Sequence, residues 1–446
     1  MKIVATKMHE GLKHQDSPAL LRFLRLFAAW FSAAKNHKRL KNRESMAPLC
    51  FARPFAAGLI LLVTAAGMGF QLTPKQLPPP FQTPSANNRP QVIPQPDGSQ
   101  IRLPTGFNAE VIAEGFEKPR FMTLGPGNEI LLSDSADKGS VYVLLDKNGD
   151  KKIDDKVKIL DGLNRPYGIA IWKDYLYVGE PASLKRYKYD AKAMKAATPG
   201  AEVVSLAGME KGHWTRTVLF DRKGEKMYLT VGSGSNVEAG EDPRRAAINR
   251  YNPDGSGHEI FASGTRNPIG LRWFPGSDTL WAAVQERDLL GDDLVPDYFT
   301  TIKQGSFYGW PFAYAGPNED PRRKGEAPDL VRKAIAGDVL LGSHVAVLDF
   351  IFYTGRMFPK EYQGGAFLAQ HGSWNRSMRC GYNIVFVPFK NQQPAGPPQE
   401  FLSGFMLAPE KREVWGRPVG LLQLPDGSIL FSDDGGNKIW RITYKS

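Results

Sequence analysis

The sequence predicts an all-β protein, and specifically a six-bladed β-propeller of four-stranded antiparallel blades. Glycine and proline are frequent (45 and 34 of 446 residues) and aromatic residues make up 11% of the chain, a composition typical of short strands joined by many turns. One phrase recurs six times: a polar turn, an Arg or His, often a Pro, an apolar strand, a Gly/Asp/Pro turn and a second apolar strand. The copies begin about fifty residues apart at first and about seventy-five residues apart later, which is typical of propeller blades with inserted loops.

The six copies of this phrase begin at Lys118, Arg165, Thr215, Arg266, His344 and Arg417. The fourth copy is the clearest, because residues 263–288 contain a polar turn, two apolar strands and a terminal charged cluster. A strand over residues 107–112 is expected to pair with the last blade and close the ring, so that no edge strand stays exposed. A β-sandwich is the alternative fold, but it does not explain six copies of one phrase.

The N-terminus carries most of the positive charge. Residues 1–53 hold eleven Lys or Arg and three acidic residues, a net charge of +8 out of +11, so only +3 remains for residues 54–446. We interpret residues 1–53 as a basic leader. The nearly neutral remainder argues against a nucleic-acid partner.

Residues 54–72 form an apolar run of roughly seventeen residues, a length between that of a signal-peptide core and that of a membrane span. The cations before this run predict that its N-terminal side faces the cytoplasm. We therefore expect residues 54–72 to be a signal-peptide h-region or a membrane anchor. The body is then periplasmic or otherwise extracytoplasmic, either free or anchored to the inner membrane. Cleavage, and initiation at Met46 instead of Met1, are left open.

Residues 73–100 are rich in Pro, Gln and Asn and have no hydrophobic pattern. This composition predicts a polyproline-like linker, which leaves residues 101–446 for the propeller domain. The chain has two cysteines, Cys50 and Cys380, so neither a disulfide framework nor a metal–thiolate site is predicted.

Equivalent strand ends of a propeller gather around one mouth, so the start position of each repeat is a candidate site position. Cationic or polar residues occupy it in five copies: Arg165, His213, Arg266, His344 and Arg417. Such a ring suits an anionic ligand, because Arg binds carboxylates through two parallel N–H groups. For any single Arg, capping a turn or pairing with a nearby Asp is the alternative. His213 could act as a general base, although its spacing alone favours a structural role.

From about residue 106 to 442 the chain resembles the glucose/sorbosone dehydrogenases, soluble six-bladed propellers that use pyrroloquinoline quinone (PQQ) and calcium. The matching phrases span several blades in the same order: AAINRYNPDGSGHEIF (246–261), ASGTRNPIGL (262–271), QGSFYGWPFAYAG (304–316), QHGSWNR (370–376) and GRPVGLLQLPDGSILFSDD (416–434). The pattern looks closer to the sorbosone branch than to the glucose branch.

The resemblance implies roles for particular residues. His213 corresponds to the base that takes the proton of the substrate hydroxyl while hydride passes to the quinone. Arg266 corresponds to the group that polarises the quinone carbonyl, and Asn267 to its neighbour at the cofactor. Arg376 and Arg417 correspond to partners of the PQQ carboxylates.

The resemblance also implies a calcium position and a pocket wall. Calcium would bind backbone carbonyls near Arg287 and Asp288, since it takes hard oxygen ligands. The residues expected at the pocket wall are His344, Trp374 and Asn375. Two departures stand out: Val347 and Asp349 replace an expected Pro and Gly, and the QERD turn replaces the Gly-Pro of the glucose branch.

These features together predict an exported oxidoreductase that depends on PQQ and calcium. It would oxidise a sugar or sugar-derived aldehyde and pass electrons to a respiratory acceptor, either a cytochrome or a quinone. A calcium-dependent propeller lactonase is one alternative, but it would need a metal-binding carboxylate/Asn set instead of an arginine ring. A non-catalytic ligand- or protein-binding propeller is the other, because fold does not fix function.

Overall fold

Six antiparallel sheets follow one another along the chain in the computed structural model, which describes residues 73–445. The predicted six-bladed propeller is confirmed. Blade 1 contains the strands Pro119–Leu124, Ile130–Asp134, Gly139–Leu145 and Asp155–Leu163. Blade 2 contains Ile169–Trp172, Tyr175–Glu180 and Ser183–Asp190, with Lys195–Ala196 and Ala201–Ser205 both paired to the third strand. Blade 3 contains Val218–Phe220, Met227–Val231, Ala247–Tyr251, Glu259–Ser263 and the short parallel strand Ser306–Phe307.

The second half of the ring has four strands in each blade, as predicted. Blade 4 contains Asn267–Trp273, Leu280–Gln285, Pro296–Ile302 and Val339–Ser343. Blade 5 contains Val347–Phe352, Ala366–Gln370, Asn383–Val387 and Gln399–Leu402. Blade 6 contains Pro418–Gln423, Ile429–Asp433, Lys438–Tyr444 and Phe107–Glu114.

The remaining elements are short. Two-residue ribbons pair Gln91–Val92 with Glu413–Val414, Ala313–Tyr314 with Asn318–Glu319, and Phe389–Lys390 with Gln393–Pro394. Helical turns occur at Pro74–Gln76, Pro321–Arg323, Pro328–Lys333 and Lys360–Tyr362. No helix between residues 73 and 445 has the length and apolar character needed to cross a bilayer. The predicted leader and export segment, residues 1–72, lies outside the described residues.

Strand Phe107–Glu114 closes the ring. It pairs antiparallel with Lys438–Tyr444, so blade 6 is built from both ends of the propeller. This confirms the closing strand that the sequence predicts. Because the pairing joins distant parts of the chain, it fixes all six blades around one axis and leaves no open edge at the join.

The first strand of each blade lines the axis and contacts the first strands of both neighbouring blades. The Pro of the repeated phrase is the first residue of this strand in blades 1 and 6 (Pro119 and Pro418) and the second in blade 4 (Pro268), and a register shift follows within three residues. Proline has no N–H to give to a ladder, so it is tolerated at such a bulge. Bulges bend a strand and redirect its side chains. The repeated Pro therefore sets the direction of the residues at the mouth.

Asp349, which stands where the resembling family is expected to carry Gly, links three blades near the axis. Its buried Oδ2 accepts hydrogen bonds from Arg272 Nη2 (2.8 Å) in blade 4 and from the Leu421 N–H (2.9 Å) in blade 6. Burial raises the pKa of Asp349, and the Arg272 charge opposes that shift. This departure from the family pattern is thus a structural ion pair at the centre of the ring.

We expect Phe107→Ala to weaken the closure of the ring. The Phe107 ring packs edge-on against Phe358, Phe401 and Tyr362 at centroid distances of 4.8, 4.9 and 5.2 Å. Removing it should lower the free energy of unfolding by about 3 kcal/mol, measured by urea denaturation. Asn108→Ala is the control, because Asn108 is exposed on the same strand. Equal losses in the two variants would contradict this assignment.

Candidate functional site

Buried carboxylates fix the starts of the first strands at one end of the propeller. In blade 1, Asp134 at the end of the second strand accepts the N–H of Lys118 (2.5 Å), and in blade 6 Asp433 accepts the N–H of Arg417 (2.7 Å). Glu180 holds the start of blade 2 in the same way, at 3.0 Å. Because each of these contacts lies within one blade, these three repeats present their first residues at the same mouth. The predicted site residues Arg165, His213, Arg266 and Arg417 all occupy this position.

His213 presents an unprotonated nitrogen at the mouth. Its Nδ1 lies 2.9 Å from the Ser233 carbonyl oxygen and 3.0 Å from Ser233 Oγ. A carbonyl only accepts, so Nδ1 carries the proton and Nε2 keeps its lone pair. No residue within 73–445 forms a hydrogen bond with Nε2. Burial, and then the positive charge of Arg266, lower the pKa of His213 to about 3. His213 is therefore a neutral base near neutral pH.

Arg266 is held in one orientation by four acceptors. It donates to the Glu286 carbonyl (2.6 Å), to the Asn236 carbonyl (3.3 Å), to Asn236 Oδ1 (3.0 Å) and to Asp288 Oδ2 (3.2 Å), and it is 5% exposed. The other oxygen of Asp288 lies 3.4 Å from His344 Nδ1. A buried guanidinium with these contacts has little freedom to rotate, so its charge is fixed in direction.

The contacts of Asp288 and His344 determine how these two side chains ionise. Burial alone would raise the pKa of Asp288, but the hydrogen bond from His344 and the charge of Arg266 lower it. Burial alone would lower the pKa of His344, but the contact with Asp288 raises it. Asp288 is thus a carboxylate shared by an arginine and a histidine.

Asn267 lies beside His213 and has an unused acceptor. Its Nδ2 donates to Gln285 Oε1 (2.8 Å), whereas its buried Oδ1 has no hydrogen-bond partner among the described residues. Gly232 permits the approach, because a Cβ there would lie 2.4 Å from Asn267 Oδ1 and 2.6 Å from His213 Cβ. A buried orphan acceptor is costly without a partner, so Asn267 Oδ1 is a candidate contact for a ligand.

A second group of side chains surrounds Trp214, the residue after His213. The Arg120 and Arg165 guanidinium carbons lie 5.3 and 5.5 Å from its ring centroid, and Tyr167 packs edge-on against it at 5.9 Å. Arg165 keeps a third of its side chain exposed and pairs only at 3.8 Å, with an exposed carboxylate. Two cations beside an aromatic ring form a surface suited to a flat anion.

Asp434 joins this second group to blades 5 and 6. Its two oxygens lie 2.5 Å from Arg120 Nη2 and 2.7 Å from His371 Nε2, and the His371 carbonyl accepts from Arg417 Nε (3.2 Å). Burial opposes the charge on Asp434, but Arg120 and His371 hold its pKa well below the usual range. Within residues 73–445, nothing accepts a hydrogen bond from the terminal nitrogens of Arg417, and burial lowers its pKa. Arg417 therefore has donors free for an anionic ligand.

Sequence reasoning missed Arg120, His371, Asp434 and Asn236 as site residues. The first three stand in phrases that already marked the repeats, namely KPR, QHGSWNR and FSDD. Their shared contacts cross three blades, so no spacing within one repeat indicates them. Asn236 lies in a loop without a recognisable motif.

The predicted residues of the 374–376 loop lie at the rim. Arg376 donates to the Asp292 carbonyl (2.9 Å) and to Asp293 Oδ1 (2.8 Å), while Asn375 contacts the backbone of Leu289. Trp374 accepts a backbone hydrogen bond from Asn88 in the N-terminal segment. The structure thus brings His213, Arg266, Asn267, Asp288 and His344 into one group, and Arg165 and Arg417 into a second. It does not bring Arg376 to either group.

In the QERD turn, the Asp288 carbonyl is not free to bind calcium. The Asp288 carbonyl, a ligand expected from the resemblance, already accepts from Asn236 Nδ2 (2.9 Å) and Arg322 Nη1 (2.8 Å), which occupies both of its lone pairs. The fully buried Arg287 guanidinium pairs with Glu286 and Asp320. No group of three or more His, Cys, Asp or Glu side chains in residues 73–445 is placed to hold a metal ion. The calcium position at Arg287 and Asp288 therefore stays a prediction, and it would have to use a ligand other than the Asp288 carbonyl.

Comparison with known proteins assigns the family. A family model described as TrAA12-like matches residues 101–293 and 323–445. The chain belongs to this family. An uncharacterized protein of Borreliella burgdorferi is 31% identical over 360 residues, covering 78% of this chain and 92% of that protein. A pyrroloquinoline quinone-dependent pyranose dehydrogenase of Coprinopsis cinerea is 24% identical over 408 residues, covering 76% of this chain but only 54% of that protein.

Solved structures share the fold at low identity. The calcium structure of a Trichoderma reesei family AA12 enzyme has a TM-score of 0.67 at 20% identity, covering 80% of this chain and 99% of that one. The holo PQQ domain of the C. cinerea pyranose dehydrogenase has a TM-score of 0.65 at 22% identity, covering 78% and 98%. The soluble aldose sugar dehydrogenase of Escherichia coli has a TM-score of 0.57 at 15% identity, covering 76% and 100%. The resemblance seen in the sequence is confirmed.

We expect His213 to remain neutral throughout the range pH 5–8 in the cofactor-free protein. Its depressed pKa means that the folded state binds this proton less tightly than the unfolded state. The corresponding stability is present above the unfolded pKa of about 6.5 and is lost as pH falls towards the folded value. Histidine Cε1 NMR shifts, assigned by comparison with His213→Gln, measure it directly. A titration midpoint near pH 6.5 would show that the side chain is solvated instead.

Proposed function

We propose that this chain is a PQQ-dependent oxidoreductase that oxidises a sugar or a sugar-derived aldehyde of the sorbosone/aldose type. The observation that carries the proposal is the unprotonated Nε2 of His213, set beside the fixed charge of Arg266 at a mouth with surplus positive charge. Family membership and the pyranose dehydrogenase relative support the same activity.

The side chains at the mouth fit PQQ, a flat tricarboxylate with adjacent quinone carbonyls. Arg417 has free terminal donors, and Arg120 and Arg165 flank the Trp214 ring, so both charge and shape favour such an anion. Arg266 and the orphan Oδ1 of Asn267 offer a fixed cation and an acceptor next to the base. When bound, PQQ supplies the quinone that accepts a hydride from the substrate carbon.

The residues of the chain supply proton transfer and charge stabilisation. His213 Nε2 takes the proton of a substrate hydroxyl, and an aldehyde presents that hydroxyl as its hydrate. The Nδ1 hydrogen bond to Ser233 keeps the ring oriented during the transfer. Arg266, held by Asp288 and Asn236, stabilises negative charge that develops on oxygen at the mouth.

The two alternatives find less support. A lactonase of the calcium type needs a set of oxygen ligands, and residues 73–445 contain no candidate cluster of acidic or histidine ligands. A purely binding propeller needs no desolvated base beside a fixed arginine. Calcium at the QERD turn would need a ligand other than the Asp288 carbonyl, which two donors already occupy.

The proposed setting follows from the N-terminal pattern. The basic leader and the apolar segment 54–72 support export to the periplasm or another extracytoplasmic space, with or without an inner-membrane anchor. A dehydrogenase reaction in that space needs an electron acceptor, for which we propose a respiratory cytochrome or quinone. These assignments are proposals from the sequence.

The direct experiment is dye-linked activity of the full chain after incubation with PQQ. We expect turnover of at least one aldose or sugar aldehyde from a panel. His213→Gln should lower kcat by about 10²–10⁴-fold, as expected for loss of a general base, and leave PQQ affinity nearly unchanged. His258→Gln is the matched control, because His258 stacks on Tyr251 and bonds Asn249 away from the mouth. Full activity of His213→Gln, or no turnover by the unmodified chain, would sink the proposal.

A further inference from the structure

The proline-rich segment before the propeller is tied to two rim loops. We call residues 81–93 the clasp. The Phe81 N–H donates to the Leu290 carbonyl (2.8 Å), and Thr83 Oγ1 accepts the N–H of Asp292 (2.8 Å). The sequence predicts a free linker here because hydrophobic pattern is lacking. In the structure, hydrogen bonds to the rim loops hold this segment in place of apolar packing.

Asn88 is the main anchor of the clasp. Its N–H donates to the Trp374 carbonyl (2.7 Å), and its Nδ2 donates to the carbonyls of Arg376 (3.1 Å) and Ser377 (2.9 Å). Its Oδ1 and its carbonyl both accept from the Arg379 guanidinium, at 2.7 and 2.9 Å. Asn88 thus bonds three backbone carbonyls of the blade 5 loop, one through its N–H and two through its side chain.

The clasp continues to blade 6. Gln91–Val92 pairs in parallel with Glu413–Val414, and the Ile93 N–H donates to the Val414 carbonyl (2.9 Å). The segment therefore spans loops of blades 4, 5 and 6 at the rim. Its prolines restrict the unbound chain, so less conformational entropy is lost when it docks.

Asn375 connects the clasp to the candidate site. It is fully buried, its Oδ1 accepts the Leu289 N–H (2.8 Å) and its Nδ2 donates to the Ala86 carbonyl (2.5 Å). Leu289 has a φ of 71°, in the left-handed region, and its side chain is exposed. That conformation is unfavourable for a residue with a Cβ and persists only where neighbours hold it.

The strained residue directly follows Asp288. The Asp288 carboxylate orients Arg266 and contacts His344, whose Nε2 lies 2.9 Å from the Gly291 carbonyl. The turn 288–292 thus sets the direction of the cation beside the base. From the rim side, this turn is held by Asn375, by Arg376, which donates to the Asp292 carbonyl, and by the clasp.

We propose that the clasp, acting through Asn375 as a positioning residue, holds the turn 288–292 in the conformation in which Asp288 orients Arg266. The proline-rich segment is then part of the working site and not only a tether. The consequence for catalysis rests on the proposed function, whereas the effect on the turn does not.

Three variants of the full chain test the proposal. Asn88→Ala removes the main anchor and Asn375→Ala removes the link to the turn. Asn87→Ala is the matched control, because Asn87 is exposed and its side chain forms no hydrogen bond with residues 73–445. The first readout is amide hydrogen exchange of residues 286–293 without cofactor. The second is the pKa of His344 by histidine NMR, since this pKa is raised by contact with Asp288. The third is kcat with saturating PQQ.

We expect Asn88→Ala and Asn375→Ala to raise exchange at residues 286–293 about tenfold or more and to lower the pKa of His344. We also expect kcat to fall about tenfold, with thermal unfolding of the propeller little changed. Asn87→Ala should match the unmodified chain in all three readouts. Unchanged exchange would contradict the claim that the clasp holds the turn 288–292. Faster exchange with an unchanged His344 pKa would contradict the claim that this turn positions Asp288. Hydrogen exchange and the His344 pKa are measured without cofactor, so these two readouts decide the inference even if PQQ does not bind.

Discussion

The pairing of strand Phe107–Glu114 with Lys438–Tyr444 is the constraint on which the rest of the molecule depends. It joins the two ends of the propeller, so each first strand contacts two others around a common axis. Once the ring is closed, residues more than a hundred positions apart start their strands at the same mouth. His213 and Arg417 can lie at the same mouth only for this reason.

At the mouth, burial and charge determine which groups ionise. His213 is desolvated beside a cation, which keeps it neutral and basic. Asp288 pairs with Arg266 and His344, and Asp434 pairs with Arg120 and His371. These two carboxylates orient Arg266 and Arg120 but do not neutralise the charges of Arg165 and Arg417. Arg417, which lacks a carboxylate partner within residues 73–445, remains available. The Asp288 carbonyl of the QERD turn is used within the protein, because it accepts hydrogen bonds from Asn236 and Arg322.

The sequence predicts the blades, the closing strand and most residues of the mouth, because each repeat carries its Arg, His or Pro at a fixed place relative to its first strand. Contacts between blades are not encoded in that way. The Arg120–Asp434–His371 network joins residues from three repeats, and Arg322 reaches the Asp288 carbonyl from an inserted loop. The docking of the clasp cannot be predicted from the sequence for a related reason. It depends on hydrogen bonds made by Asn88 and not on a hydrophobic pattern.

Isothermal titration of the full chain with PQQ tests the central claim, that the cations at the mouth form an anionic cofactor site. The account predicts one PQQ per chain. Arg417→Gln, which removes free donors, should weaken binding at least about tenfold, whereas Arg376→Gln, whose guanidinium is already paired with Asp293, should change it little. Absence of binding, or a larger effect of Arg376→Gln than of Arg417→Gln, would contradict it.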